Sequence, residues 1–417
     1  MTGPPGPEQV EATLHWVTQQ FRQHYERQAD VWVPPRMTRR EYGFLWNGRK
    51  FFLRHVGMSS ADALHDFLVR EGPHHCYYST AYYDTPHAST MKDKMWRGAD
   101  LVFDLDADHL SDEAKEWPLE KQLAAIKAEG RKLLDEYILG DFGFAPEHVR
   151  IVFSGGRGYH FHVSDPRVWS MDAHARREIV DYVTANGLSP GDFVEVLGPR
   201  VTIPKPDEPA WRGRFARGVL GHIESILAEP DAEHMVQRAK VLGIKGLGPK
   251  TMQAVRLATV KDAGGSSQWE RFSETGTTKH PALAKLVKAP ALGVTGLNNE
   301  AGETDEPVTA DVKRLIRLPG SLHGKTGLRA QEVPMEAFDA FEPLRDACPW
   351  GEELVDVVVS KPERVRLAGV EYACEPGPQA LPLRYAMFLT LRRKALQPAP
   401  PARRVESEQE NEEGVVK

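Results

Sequence analysis

The chain has 417 residues, of which 41% are hydrophobic and 27% are charged, and its formal net charge is −6. These values predict a soluble protein of two or three domains, or of one large domain with an insertion, with enough apolar side chains for a real core. The sequence excludes a membrane span, because it contains no continuous stretch with the ~18 apolar residues that a span requires. The N-terminus lacks the basic start and apolar core of a signal peptide. The three cysteines, Cys76, Cys348 and Cys374, are far apart, which excludes a disulfide framework and favours a reducing, cytoplasmic location.

The first hundred residues predict a helix followed by strands. Apolar residues at helical spacing indicate a helix over residues 8–29. Residues 40–56 are typical of a β-hairpin around Asn47-Gly48, a strong turn pair. Residues 74–83 are aromatic and strand-like.

The next segment, GADLVFDLDADHL at 98–110, combines a strand pattern with an unusual number of carboxylates. With a period of two, one face carries Leu101, Phe103, Leu105 and Ala107, and the other carries Asp100, Asp104, Asp106 and Asp108, with Val102 among them. Aspartate is depleted in strands. One interpretation is a strand that ends in an Asp-rich turn, and the other is a platform for divalent metal ions.

The segment VRIVFSGGRGYHFHV at 149–163 predicts a strand, a glycine-rich turn and a second strand. Its glycines allow the backbone to approach an anion closely, and Arg157 carries a planar fork suited to phosphate. His160 and His162 share one strand face. A plain hairpin turn with a surface arginine is the alternative. The H-x-H pair could also bind zinc, but the sequence shows no third and fourth ligands at a recognisable spacing.

Helices are expected over residues 112–139, ending near Gly140, and over 170–186, and residues 205–290 are basic and mostly helical, as in an inserted subdomain. Within this insert, VLGIKGLGPKTMQAV at 241–255 is similar to the hairpin of a helix-hairpin-helix element, whose turn offers backbone amides to a DNA phosphate beside Lys245 and Lys250. A Gly-Pro turn between two packed helices, or a partner surface, would explain the segment equally.

The third chemistry-bearing segment is DEPVTADVKRLIRLPGSLHGKTGL at 305–328. It concentrates acidic and basic side chains around an apolar strand, which suits a polyanionic ligand; a strand with a solvated basic face is the alternative. A strand over 355–361 and a helix over 382–395 follow. The tail from residue 398 has almost nothing to bury, and we expect it to be disordered.

Together the three segments share one chemistry. Two or three carboxylates can hold two divalent cations, which bridge a triphosphate and activate a hydroxyl group, while the other two segments supply donors to the phosphates. A nuclease could use the carboxylates too, but it has less need of a triphosphate cradle.

In that order, GADLVFDLDADHL, SGGRGYHFHV and RLIRLPGSLHGKTGL resemble the three motifs of the small catalytic subunit of archaeal–eukaryotic DNA primase, with the archaeal form the closer match. The resemblance extends to REYGF at 40–44, FFLR at 51–54 and YYS at 77–79, and so covers most of residues 20–330.

The resemblance implies metal-binding and catalytic roles for Asp104 and Asp106, with Asp305 rather than Asp311 as the third carboxylate. It implies nucleotide contacts for Arg54, Ser154, Arg157, His160, Arg317 and His323, with Ser79 and Lys325 as secondary candidates. The expected cofactor is Mg²⁺ or Mn²⁺. Many archaeal relatives carry a zinc knuckle between the first two motifs, but residues 107–150 contain no cysteine, and His109 and His148 cannot form a four-ligand site alone. We therefore predict no structural zinc.

The expected fold is an α+β, mixed-sheet primase catalytic core with an inserted helical subdomain. The predicted domains are the first part of the core at 1–204, the insert at 205–290, the second part of the core at 291–397 and the tail at 398–417. The expected partners are a large regulatory subunit in a heterodimer, a single-stranded DNA template, and NTP or dNTP, without a membrane.

The implied function is primer synthesis for DNA replication. A second hypothesis is a repair primase-polymerase that extends gapped or broken DNA ends, and a third is a non-catalytic scaffold that binds nucleic acid. The sequence does not decide the nucleotide sugar, the primer length, the cation, the docking surface of the large subunit or the role of the insert.

Overall fold

A computed structural model describes residues 6–28 and 31–398, apart from the side chain of His109. From residue 399 onward, the tail that was predicted to be disordered lies outside the described residues.

Fifteen α-helices occur within the described residues. They are α1 Pro7–Arg27, α2 Ala61–Glu71, α3 Asp112–Lys115, α4 Leu119–Lys132, α5 Pro166–Trp169, α6 Ala173–Val183, α7 Ala210–Leu227, α8 Ala232–Val241, α9 Pro249–Leu257, α10 Gln268–Thr275, α11 Pro281–Val287, α12 Pro290–Glu300, α13 Glu306–Ala310, α14 Pro343–Asp346 and α15 Leu383–Leu391.

The described residues also form eighteen strands. They are β1 Tyr42–Leu45, β2 Leu53–Val56, β3 His75–Ser79, β4 Ala81–Tyr83, β5 Trp96–Ala99, β6 Leu101–Asp106, β7 Val149–Phe153, β8 Gly158–Val163, β9 Glu195–Leu197, β10 Arg200–Thr202, β11 Thr277–Thr278, β12 Leu315–Arg317, β13 Gln331–Val333, β14 Leu354–Val359, β15 Glu363–Leu367, β16 Val370–Cys374, β17 Gly377–Pro382 and β18 Ala395–Leu396.

The chain divides into two compact units. As far as they are described, Met1–Trp96, Val152–Gly156 and Leu315–Lys417 form unit 1, and Arg97–Ile151 and Arg157–Arg314 form unit 2. Neither unit is a single stretch of sequence. The domain boundaries expected from the sequence stay a prediction.

Unit 1 contains a four-stranded antiparallel sheet in the order β12-β3-β1-β2. Helix α1 buries Val17, Phe21 and Tyr25, which recur at every fourth residue and so form one apolar stripe. The same helix is hydrogen-bonded to the segment after β18, because the Gln397 N–H donates to Thr13 Oγ1 at 3.1 Å. A second sheet, in the order β17-β14-β18, lies in the C-terminal part of this unit.

Unit 2 is built around the antiparallel pair of β6 and β8. Helices α4 and α13 contact β6, and α6 contacts α13. Farther along, α7 and α12 approach so closely that a methyl group on Gly218 would lie 2.4 Å from the Gly296 carbonyl oxygen. The stretch 205–290 is mostly helical, as expected, and it contains α7 to α11 with the short strand β11.

Most predicted elements are present, including the first helix, the hairpin of β1 and β2, and the strands around both motifs of unit 2. The prediction of a single helix over residues 112–139 is wrong. It is divided into α3 and α4 at Pro118, which cannot continue a helix from the preceding turn. After α4 the chain continues as a π-helix over Leu133–Asp141, so the helical run ends near Gly140, as predicted. The α+β fold class is confirmed.

The Arg176 side chain fixes the chain where it enters β6. It is almost fully buried, and its guanidinium group donates to the carbonyl oxygens of Asp100 at 2.8 Å, Ala99 at 2.9 Å and Val168 at 3.1 Å. Burial lowers the pKa of Arg176 to about 10, so the group still carries its charge at neutral pH. Its Nε atom also donates to the Met171 carbonyl oxygen at 3.1 Å. One buried cation therefore satisfies four carbonyl groups, two of them at the start of the aspartate-bearing strand.

We expect Arg176→Met to lower the free energy of unfolding by about 3 kcal/mol, because four carbonyl groups lose a charged donor. Urea denaturation followed by circular dichroism measures this change. The matched control is Arg177→Met, since Arg177 is the exposed neighbour on the same helix, and its loss should change the free energy by no more than about 0.5 kcal/mol. Equal effects of the two substitutions would contradict the role of Arg176.

Candidate active site

The two faces of β6 differ as the alternating pattern predicted. Leu101, Phe103 and Leu105 are buried. On the opposite face the exposure of the aspartates rises along the chain. Asp100 is buried, and the side chains of Asp104, Asp106 and Asp108 are 20%, 35% and 67% exposed. Asp104 and Asp106 thus combine a fixed strand position with access to a ligand.

The register of the β6–β8 pair places Asp104 opposite His160 and Asp106 opposite Gly158. The cross-strand position brings the His160 Nε2 atom to 3.4 Å from Asp104 Oδ1. Gly158 cannot be replaced without a shift of backbone, because a Cβ atom there would lie 2.0 Å from the Leu105 carbonyl oxygen. The last glycine of the SGGRG motif is therefore needed for close strand pairing.

Arg157 brings a positive charge to the aspartate-bearing face of β6. Its Nη2 atom lies 3.2 Å from Asp106 Oδ1 and 2.5 Å from Asp108 Oδ1. Asp106 also accepts the Asp108 backbone N–H at 3.0 Å, which closes the turn after the strand. Asp108 therefore supports the position of Arg157.

Asp305 is joined to Asp104 through the backbone. The Asp305 N–H donates to the Asp104 carbonyl oxygen at 2.9 Å, immediately before α13. The carboxylate of the other candidate, Asp311, accepts the Lys313 N–H at 2.8 Å in a local turn. The backbone of the half-buried Asp305 is thus held beside that of Asp104.

The fit of these carboxylates to a divalent cation rests on their donor chemistry. Carboxylate oxygens are the ligands that Mg²⁺ and Mn²⁺ prefer, and Asp104, Asp106 and Asp305 all retain some exposure. Across residues 6–28 and 31–398, no three His, Cys, Asp or Glu side chains are already grouped as a metal site. Metal binding by these aspartates, and the expected lack of structural zinc, stay predictions.

In unit 1, the turn at residues 154–156 is attached to the loop that carries His323. The Gly156 N–H donates to Ser154 Oγ at 3.2 Å, and Thr326 Oγ1 donates to the Gly155 carbonyl oxygen at 2.5 Å. Gly155 has a φ of +77°, and a Cβ atom there would lie 2.8 Å from the Cβ atom of His323. Only glycine meets both conditions.

We call residues 322–329 the His323 loop. Its two ends pair as an antiparallel bridge between Leu322 and Arg329. The His323 N–H donates to the Leu328 carbonyl at 2.8 Å, and the Gly327 N–H donates to the His323 carbonyl at 2.8 Å. Lys325 is exposed at the tip. The loop is therefore a closed turn that holds His323 in place.

Arg317 is positioned by His75, a residue that the sequence interpretation missed. Arg317 Nη1 lies 3.0 Å from His75 Nδ1, and its guanidinium carbon lies 4.5 Å from the centre of the Tyr77 ring. Burial, with the Arg317 charge next in effect, lowers the pKa of His75 to about 2, so His75 is neutral and accepts from Arg317. The His75 ring also meets the His323 ring edge-on, with 5.4 Å between centroids. The neutral partner leaves the positive charge of Arg317 uncompensated.

Arg54 is positioned by Glu41, which sequence reasoning also missed. The fully buried Glu41 Oε1 accepts from Arg54 Nε at 3.1 Å and from the His55 N–H at 3.1 Å. Its other oxygen lies 3.4 Å from Nζ of the buried Lys94. Two cations thus share one carboxylate. In the sequence, the charge of Glu41 inside REYGF was the only signal of this role, and it did not reveal Arg54 as the partner.

Ser79, a secondary candidate for nucleotide contact, is buried. Its hydroxyl group donates to the Ala81 carbonyl oxygen and accepts from the Glu41 N–H.

The segment at 241–255 forms the end of α8, a turn and most of α9, as the helix-hairpin-helix resemblance requires. Gly246 has a φ of +76°, and Lys245 and Lys250 are exposed. Contact of this turn with DNA stays a prediction.

A family model described as DNA primase small subunit matches residues 103–334. The chain is 37% identical over 392 residues to the DNA primase small subunit PriS of Methanothrix thermoacetophila, an alignment that covers 91% of this chain and 98% of the relative. It is 38% identical over 401 residues to the PriS protein of Haloarcula marismortui, with 92% and 98% covered. For the PriS protein of Methanococcoides burtonii the identity is 35% over 393 residues, with 91% and 97% covered.

These matches define an enzyme of the primase class of nucleotidyltransferases. The chain belongs to the DNA primase small subunit family, as the three motifs predicted. In the part of the chain that the structure describes, no helix is long and apolar enough to cross a membrane.

We expect His75→Phe to raise the KM for nucleotides about tenfold with a smaller change in kcat, because Arg317, a predicted nucleotide contact, loses the acceptor for one hydrogen bond. Steady-state kinetics over a range of nucleotide concentrations measure both constants. The control is His74→Phe, since this neighbouring buried histidine bonds to Thr18 and to the Asn47 N–H instead. An equal rise in KM for the control would show that general loosening of unit 1 is the cause.

Proposed function

We propose that this chain synthesises short primers on single-stranded DNA by metal-dependent joining of nucleoside triphosphates during DNA replication. One observation carries the proposal. Asp104 and Asp106 share the partly exposed face of β6, and a backbone hydrogen bond of 2.9 Å holds Asp305 at Asp104. This hydrogen bond links the segment of Asp305 to the strand that carries the first primase motif, which supports a shared role for the three carboxylates.

In this proposal Asp104, Asp106 and Asp305 hold two divalent cations, Mg²⁺ or Mn²⁺. When bound, such cations neutralise the triphosphate and lower the pKa of the primer 3′-hydroxyl that attacks the α-phosphate. A protein side chain is then not needed as the general base. His160, 3.4 Å from Asp104, orients that carboxylate.

The incoming triphosphate would be held by cationic and polar side chains of both motif regions. We assign this role to Arg54, Ser154, Arg157, His160, Arg317 and His323. The Arg317 charge supports the assignment, because its hydrogen-bond partner His75 is neutral. Arg157 would bind phosphate while it remains close to Asp106.

A larger partner subunit belongs to the proposal, since the relatives are named small subunits. It would form a heterodimer with this chain and take part in primer initiation. The template is single-stranded DNA, and the substrates are NTP or dNTP.

Primer synthesis on single-stranded oligonucleotides, with the full chain and Mg²⁺ or Mn²⁺, tests the proposal. We expect Asp104→Asn and Asp106→Asn each to reduce synthesis by at least about 100-fold, because loss of a metal ligand removes several kcal/mol of transition-state stabilisation. Asp112→Asn is the matched control, since Asp112 is fully exposed a few residues farther along, and it should leave the rate unchanged. Mn²⁺ binding by electron paramagnetic resonance should fall in the same two variants.

Other results would change the conclusion. Full activity of Asp106→Asn would exclude the metal role of this residue. Strong preference for a gapped template with a 5′-phosphate over a plain single strand would favour the repair primase-polymerase. Metal-independent binding of DNA without any nucleotide incorporation would favour the scaffold.

The choice of Asp305 over Asp311 gives a separate prediction. Asp305→Asn should reduce primer synthesis by about 100-fold, because a charged metal ligand is lost. Asp311→Asn should change it by less than about threefold, because the amide oxygen still accepts the Lys313 N–H. Rates of single-nucleotide extension of a preformed primer measure both effects, and the reverse order would assign the third ligand to Asp311.

A further inference from the structure

A cavity of about 290 Å³ lies in unit 1, lined by the C-terminal half of α1 with Gln28 and by residues from three segments of the C-terminal part. None of the residues assigned above to metal or nucleotide lines it. Its lining mixes apolar and polar side chains, and the polar ones include Gln20, His24, Arg27, Arg329 and Glu353. Polar groups in such a cavity are satisfied by water or by a polar ligand.

With two arginines and one glutamate, the lining of the cavity carries a net positive charge. Arg329 is half-buried and donates only to the neutral Gln331 Oε1, at 2.7 Å from Nη2 and 3.3 Å from Nε. Within the described ranges, neither Arg27 nor Arg329 forms an ion pair, and Glu353, the one acidic residue of the lining, forms none either. A half-buried guanidinium without a carboxylate partner loses hydration that an anionic ligand would restore.

A third group faces the same space. The Nε2 atom of His24 is buried without a hydrogen-bond partner, although its side chain lines the cavity. Burial and then the charges of Arg329 and Arg27 lower the pKa of His24 to about 4, so the imidazole is neutral. A neutral imidazole can donate one hydrogen bond to an anion while both arginines supply the charge.

We infer that this cavity binds a phosphate-bearing anion between Arg27, Arg329 and His24. Planar guanidinium forks match phosphate oxygens with two parallel hydrogen bonds. The volume also admits phosphates linked in a chain, so the shared chemistry is a phosphate group carried by pyrophosphate or by a nucleotide.

The cavity adjoins the elements that hold the His323 loop. Trp350, which lines the cavity, donates from Nε1 to the Gly327 carbonyl at 2.8 Å. Gln28 of the lining donates to the Gly320 carbonyl at 3.3 Å, and Arg329 is the last residue of the loop. A bound anion therefore stiffens the loop that carries His323. This consequence rests on the proposed function, whereas the binding itself does not.

Isothermal titration calorimetry of the full chain with pyrophosphate, in EDTA and without DNA, tests the inference. We expect Arg27→Gln and Arg329→Gln each to weaken binding about tenfold, which is the loss of one charge-assisted hydrogen bond. Arg22→Gln is the matched control, since Arg22 is exposed on the same helix and does not line the cavity. ATP as a second probe distinguishes the sources, because tighter binding of ATP than of pyrophosphate indicates a nucleotide.

Three outcomes would overturn the inference. They are no heat of binding at millimolar pyrophosphate, equal affinity in wild-type and both cavity variants, or loss of binding in His323→Ala with retention in Arg27→Gln. The last result would place the anion among the predicted nucleotide contacts. Melting temperatures show whether each variant is folded. Because Arg27 is exposed, the Arg27→Gln variant still allows the binding measurement if Arg329→Gln unfolds. Failure here leaves primer synthesis untouched, because no metal or template is present.

Discussion

The antiparallel register between β6 and β8 is the constraint on which the catalytic assignment depends. It sets Asp104 against His160 and Asp106 against Gly158, with the apolar residues of β6 in the core. A slip of one residue would turn the carboxylates inward and expose Phe103. The lack of a side chain at Gly158 and the buried Arg176 at the start of β6 both secure this register. The chemistry is thus fixed by strand pairing before any ligand binds.

Unit 1 positions its arginines by buried polar partners that do not neutralise them completely. Arg317 is held by a neutral histidine, and Arg54 shares the single carboxylate of Glu41 with Lys94. Full pairing would cancel the positive charge that the proposed phosphate contacts require, and no pairing would leave long side chains free to move. The arrangement holds the guanidinium groups in place and keeps net positive charge.

The strand pattern and the three motifs were sufficient to predict the fold class, the family and the candidate ligands on β6. Alternation at 101–107 predicted the burial of the strand correctly, because a period of two is a local property. His75, Glu41 and Lys94 could not be predicted, since their roles come from partners up to 242 residues away. The break at Pro118 was predictable from proline chemistry, but the apolar spacing on both sides concealed it. The end of the helical run near Gly140 was predicted correctly, whereas the change from α-helix to π-helix at Leu133 was not predicted.

The interleaving of the two units sets the order in which the protein can form during synthesis. All of the unit 2 segments have emerged once Arg314 is made, so this unit can fold while translation continues. Unit 1 cannot be completed then, because Gln397 is needed to bond with Thr13 of the first helix. Its N-terminal sheet of β1, β2 and β3 lacks its fourth strand until β12 has been made. A chain that stops before β12 therefore leaves one edge of the aromatic-rich strand β3 unpaired, and an unpaired edge is a template for association with other chains.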